Sequence, residues 1–258
     1  DVAVRRPAVH REGSDHLMTS TPATTQALVV DDLTKTYGQG ETLVHAVDGI
    51  SFDVDPGEFV VLLGPSGSGK TTTLNLLGAI EEPTSGRLEV GRHDISALDE
   101  VGRTVYRREE VGFVFQLYNL VPSLTAMENV QLIAEITGPD TEQRSLAALE
   151  KVGIAERADH FPGQLSGGQQ QLVAIARAIV KEPSLLLCDE PTGALDLDRG
   201  RVVLGVLSDL AAEGRTVVCV THNSTIATMA TRVLRLSDGR IVDDTRQSDP
   251  VAAGDLVW

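Results

Sequence analysis

The stretch Phe59-Val60-Val61-Leu62-Leu63-Gly64-Pro65-Ser66-Gly67-Ser68-Gly69-Lys70-Thr71-Thr72 decides how this chain folds. Its first five residues follow Pro56-Gly57 and are apolar throughout, which suits a strand buried on both faces. Thr71 to Ile80 reads as a helix. Between strand and helix, Gly64 to Thr71 fits G-x-x-x-x-G-K-[ST], in the context that gives this pattern a mechanism. The glycines let the backbone curl, so that successive N–H groups aim at phosphate oxygens at the positive end of a helix dipole. Gly64, Pro65, Ser66, Gly67, Ser68, Gly69, Lys70, Thr71 and Thr72 are therefore the expected phosphate-holding set. Within it, Lys70 reaches the β- and γ-phosphates and the Thr71 hydroxyl is the expected Mg2+ ligand. The chain binds a nucleoside triphosphate on this reading.

Working outward, Leu185 to Cys188 and Val217 to Val220 read as two more buried strands. Helices are expected at Gln169 to Val180, stopped by Pro183, and at Val202 to Ala212, closed by Gly214. Buried strands alternating with helices give an α/β fold with a mostly parallel central sheet. Before the phosphate loop, Leu28 to Val30, Val44 to Val47 and Ile50 to Val54 look like short strands of an antiparallel subdomain. Gly38, Gly40 and Asp48-Gly49 separate them. Residues 124–160 carry Ala, Leu, Glu and Lys at helical spacing, which predicts a separate α-helical subdomain at about 117–165. Val233 to Leu236 and Arg240 to Val242 flank an Asp238-Gly239 turn as a terminal hairpin. Residues 1–26 read as a disordered tail, 27–245 as the folded domain and 246–258 as a loosely ordered C-terminal tail.

Two further clusters carry chemistry. Asp189 and Glu190 close the apolar strand from Leu185, at the carboxyl end where α/β sheets bind ligands. Asp189 suits Mg2+, and Glu190, one residue on, suits the base that polarises an attacking water. Leu165-Ser166-Gly167-Gly168-Gln169 opens a helix with a hydroxyl and unpaired N–H groups, a second anion site by type, although an ordinary capped helix carries the same residues.

In order and spacing these motifs resemble the ATP-binding-cassette (ABC) ATPases over about residues 27–245, a P-loop NTPase fold. The resemblance implies roles for further residues. Tyr37, in Lys35-Thr36-Tyr37-Gly38, matches the aromatic residue that stacks on adenine. Gln116, in Phe113-Val114-Phe115-Gln116, matches the glutamine that touches Mg2+ and the attacking water. His222 matches the histidine that contacts the γ-phosphate and positions Glu190, and Ala194-Leu195-Asp196 matches a loop at the dimer interface. It also implies that Ser166, Gly167, Gly168 and Gln169 serve the ATP of a second copy, so that a head-to-tail homodimer sandwiches two ATP–Mg2+. Lys70, Gln116, Glu190 and His222 form the implied catalytic set.

The stretch Phe115 to Val130 looks most like the lipoprotein-release, macrolide-export and cell-division ATPases. These pair with a separate permease of a few transmembrane helices and an extracytoplasmic domain. Leu172, Cys188 and Ala194 depart from that pattern, where Arg, Ala and Asn are usual. Leu117, Tyr118, Leu120, Val121 and Leu124 are expected to divide between the lobe's core and an exposed groove for the permease. Composition agrees. With 258 residues, 41% apolar and a net charge of −15, the chain is long enough for a core and too acidic for a general nucleic-acid binder. The competing classes are a nucleic-acid or ribosome ABC protein and a kinase or GTPase on the same loop. Cys188 and Cys219 lie in apolar runs and read as core residues of a reducing compartment. The apolar run Phe59 to Leu63 is about a quarter of a membrane-spanning helix. A cytoplasmic protein held peripherally on the membrane by its permease is the expectation.

Overall fold

A computed structural model describes residues 26–257. The expected N-terminal tail, Gln26 apart, lies outside the described residues. Two sheets organise the rest. The larger has the order β10-β9-β3-β8-β7-β6, built from β3 (Phe59–Leu63), β6 (Val111–Val114), β7 (Leu185–Asp189), β8 (Thr216–Thr221), β9 (Arg232–Ser237) and β10 (Arg240–Arg246). Its strands run parallel except β10, which returns antiparallel from β9 through the Asp238-Gly239 turn. β3 sits inside the sheet with all five residues buried.

Alternation along these strands splits the interior in two. Phe59, Val61, Leu63, Leu186, Cys188, Val217 and Cys219 face one apolar cluster, with α5 (Gly167–Ile179) and α6 (Leu197–Ala212). Val60, Leu62, Leu185, Leu187, Val218 and Val220 face the other, against α1 (Lys70–Leu77) and the smaller sheet. This is the two-faced burial expected of parallel strands. Cys188 and Cys219 are unpaired and fully buried, opposite one another across β7 and β8.

The smaller sheet is antiparallel, in the order β2-β1-β4-β5, with β1 at Leu28–Tyr37, β2 at Val44–Val54, β4 at Ser85–Val90 and β5 at His93–Asp94. The three short strands expected here are two long ones. Leu28 pairs with Val54 at one end and Tyr37 with Val44 at the other. Asp48-Gly49 does not break β2. Register shifts between Val30 and Thr36 absorb it as bulges, with Asp32 and Gly49 both at positive φ. A helix, α2 (Glu100–Glu109), goes unread in the sequence because Tyr106 is its only buried residue. Its start is set by Asp99, whose carboxylate accepts the Gly102 N–H at 2.7 Å.

The helical lobe holds α3 (Ala126–Glu135) and α4 (Thr141–Lys151). Thr125 and Glu128 form a reciprocal capping box that starts α3. The lobe has no core of its own: Val130, Ala134 and Leu149 belong to the apolar cluster that contains β7 and β8, with α5 between them. The C-terminal stretch read as loosely ordered is mostly exposed but is anchored at two points among the described residues. Leu256 is buried and its carbonyl accepts the Arg201 guanidinium at 2.9 Å. The Gln247 side chain donates to Ala227 O at 2.6 Å. Leu256 is the one buried side chain among the described residues there, and a single anchor gives no period to read.

Arg232 of β9 is buried and holds Asp244 of β10 by two bonds of 2.7 and 2.6 Å. That pairing keeps the Asp244 carboxyl below the usual carboxylate range. A depressed carboxyl adds stability above its unfolded pKa and loses it as pH falls through the folded one. Asp244→Asn is therefore expected to unfold at lower urea than the parent at pH 7, with the gap closing as pH falls below the usual carboxylate range. A gap that persists in acid would show that the pair's charge is not its source.

Candidate functional site

The carboxyl ends of β3, β6, β7 and β8 converge on one cavity of about 440 Å3. The phosphate loop forms its floor through Ser66, Gly67, Gly69, Lys70, Thr71 and Thr72. The glycines are required by space as well as conformation. Gly69 has φ +98°, and a Cβ there would stand 2.2 Å from Ala46 O; one at Gly64 would stand 2.3 Å from Leu236 O. Lys70 is 7% exposed and its ammonium donates to Gly64 O and Pro65 O, each at 2.8 Å. Burial lowers its pKa, with Glu190 and Asp189 opposing the shift. Ser68 Oγ is buried without a hydrogen-bond partner.

The opposite wall is acidic. Asp189 ends β7, and both its oxygens lie 3.5 Å from Thr71 Oγ1. Burial first, then Glu190, raises its pKa. Glu190 has φ +46°, uncommon for a residue with a side chain, and its N–H is held by Val220 O at 2.9 Å. Its Oε1 accepts the His222 N–H at 3.0 Å and faces His222 Nδ1 at 2.7 Å; its Oε2 accepts the Thr221 hydroxyl at 3.0 Å. Gln116, two residues beyond β6, also lines the cavity, and Gly193 leaves it room.

Among the described residues no group of three or more His, Cys, Asp or Glu gathers to hold a metal by itself. Thr71, Asp189 and Gln116 give a hard, all-oxygen set with few carboxylates. That suits Mg2+ arriving with phosphates rather than a closed protein cage.

Four sequence-expected groups stand apart from the cavity, buried Ser68 among them. Tyr37 is not among its lining residues. The phenol donates to Glu81, the ring sits 5.2 Å below Lys35 Nζ, and burial, then Glu81, raises the hydroxyl's pKa against an opposing contact from Thr72. Gly64 and Pro65 contribute carbonyls to Lys70 rather than cavity wall. Ser166, Gly167, Gly168 and Gln169 are absent from the lining as well. Ser166 Oγ, read as aimed outward, instead caps α5 by accepting the Gln169 N–H at 3.3 Å, while Gln169 Oε1 accepts the Ser166 N–H at 2.9 Å. Next to this turn a Cβ at Gly167 would lie 2.7 Å from the Tyr118 hydroxyl. The sequence reading missed Ala46 as wall and Thr221 as a partner of Glu190. Thr221 had a signal, its place directly before His222.

Of the expected docking residues, Leu117 is 74% exposed, while Tyr118 and Leu120 are half-buried, Leu120 against the main core. Beside them a second cavity of about 220 Å3 is lined by Phe113, Phe115, Ile133, Arg107, Arg177 and Lys181. The two phenyl rings stack at 5.5 Å, and burial pushes Lys181 down to about 8. Leu172, where Arg is usual, is buried in the α5 core.

Comparison with known proteins agrees with this geometry. The ABC transporter family model matches residues 47–193. The macrolide export ATP-binding/permease protein MacB of Hyphomonas neptunium is 44% identical over 224 residues, 86% of this chain and 35% of that protein. An uncharacterised ABC transporter ATP-binding protein of Mycobacterium tuberculosis is 46% identical, over 83% of this chain and 88% of its own length. A dimeric ATP-binding cassette solved in a post-hydrolysis state with ADP and Pi superposes with a TM-score of 0.77 at 39% identity, covering 85% of this chain and 98% of that one. The chain spans about a third of the length of the MacB relatives it matches.

Proposed function

This chain belongs to the ABC transporter family, and from that premise we propose that it is the ATP-hydrolysing part of an exporter, working as a head-to-tail dimer that drives a membrane permease. One observation carries the reading: Lys70, Gln116, Asp189, Glu190 and His222, from separate strand ends, line one cavity with the phosphate loop. The loop N–H groups and Lys70 bind the triphosphate, and Tyr37 supplies a surface for adenine. Thr71 and Asp189, with Gln116 beside them, would hold Mg2+, which when bound would neutralise charge on the phosphates. Glu190 takes the proton of the attacking water, and His222 orients the carboxylate from the opposite side. Ser166 and Gly168 complete the partner's site, the Ser166 hydroxyl proton and the Gly168 N–H meeting its γ-phosphate. ATP thus supplies contacts that exist only in the closed dimer, and hydrolysis removes them.

The helical lobe, at about 117–165, receives the permease, and the cassette lies on the cytoplasmic face of the membrane. No helix among the described residues is long and apolar enough to cross it. The permease is on a separate polypeptide in this reading, which the Mycobacterium tuberculosis relative, matched over most of its length, supports. Its membrane helices are few and its large domain is extracytoplasmic, as in the macrolide-export and lipoprotein-release branch. Exposed Leu117 and the neighbouring cavity favour a docking face over a finished surface. Leu117→Glu is expected to keep basal ATP turnover within about twofold, since the side chain contacts solvent. Stimulation of turnover by the permease should disappear, measured with the complex reconstituted in lipid. A Leu117→Glu protein still stimulated by its permease would place the contact elsewhere.

A further inference from the structure

We propose that Thr221 is a positioning residue for Glu190, fixing where its carboxylate points during attack; this rests on the reading of Glu190 as the base. Thr221 is the last residue of β8 and is fully buried. Its hydroxyl accepts the Asn223 N–H at 3.1 Å and donates to Glu190 Oε2 at 3.0 Å. Asn223 is itself fixed, because its side chain caps α7 (Ser224–Ala227) by accepting the Thr225 N–H at 2.9 Å. The bonds therefore run one way, from Thr225 through Asn223 and Thr221 to the carboxylate. With one lone pair of the hydroxyl taken by Asn223, its proton is directed at Glu190.

The two oxygens of Glu190 are held by different groups. Oε1 accepts the His222 backbone N–H at 3.0 Å and faces its imidazole, 66% exposed, at 2.7 Å. Oε2 depends on a hydroxyl locked in a strand between β3 and β7. The Glu190 backbone is pinned by Val220 O, so rotation of the side chain is the freedom left to it. Thr221 removes that freedom at Oε2, the oxygen that no group of His222 reaches.

Thr221→Val keeps the shape and the β8 backbone bonds and deletes the hydroxyl, both the donor to Glu190 and the acceptor of the Asn223 N–H. Losing one hydrogen bond to a charged group is expected to lower kcat for ATP hydrolysis roughly ten- to a hundredfold. KM for ATP should stay within about threefold, because no phosphate contact changes. Thr221→Ser should return kcat to within about threefold of the parent, and Thr221→Cys, a weaker donor, should fall between. In a Glu190→Gln background Thr221→Val should lower the residual turnover no further, since residues acting through one group are not additive. Melting curves of Val and Ser variants, taken together, exclude unfolding as the cause. An unchanged kcat in Thr221→Val overturns the inference. So does a Ser variant as slow as Val, or an equal further loss in the Glu190→Gln background. A Glu190→Gln protein that turns over at near the normal rate overturns the base reading, and this inference with it.

Discussion

Glu190→Gln is expected to lower ATP turnover by roughly a hundred- to ten-thousandfold while leaving ATP affinity almost unchanged. The substitution keeps size and removes only the group that takes the water's proton. Lys70, the loop N–H groups and Thr71 are untouched, so binding should persist, as read by a fluorescent ATP analogue. A protein that binds ATP and cannot split it should stay in the closed state, so size exclusion with ATP–Mg2+ should show a dimer where the parent shows mostly monomer. Retained hydrolysis would remove Glu190 from its role. Loss of ATP binding would instead mean that Glu190 holds the nucleotide rather than the water.

Ser166→Phe should abolish turnover through the other subunit. The serine is absent from the cavity of its own chain, so nucleotide affinity of the monomer should stay within about twofold. Losing the cap of α5 costs about 1 kcal/mol, too little to explain a dead enzyme. Mixing Ser166→Phe with Lys70→Ala protein gives the sharper result. Each mixed dimer has one doubly damaged site and one intact site, so a site able to act alone restores part of the turnover. A Ser166→Phe monomer unable to bind ATP would sink the two-subunit site.

Much of this was legible in the sequence for a physical reason. The phosphate loop, the acid pair and the parallel strands Phe59–Leu63, Leu185–Asp189 and Thr216–Thr221 are local patterns, each readable from a few adjacent residues. α2 was not, because Tyr106 is the one buried residue of its ten and five of the others are charged. The extent of β1 and β2 was hidden because bulges at Asp32 and Gly49 look like turns until the partner strand is present. Thr221 was passed over because its importance lies in a contact with a residue 31 positions away. The detachment of Ser166 from the cavity followed from resemblance alone, and the geometry of one chain now agrees with it.

α5 can also be considered as a mechanical part. Ser166 caps one end, while Arg177 and Ala178, near the other, line the second cavity. Thirteen residues make a rod of roughly 20 Å. Leu172 to Ile179 is buried apart from Arg177, so the rod is gripped along its length and cannot bend at a weak point. A stiff rod gripped from Leu172 to Ile179 does not pivot about its centre; it moves only with the core that grips it. Its two ends keep a fixed separation, so the turn at Ser166 and the cavity wall at Arg177 shift together or not at all.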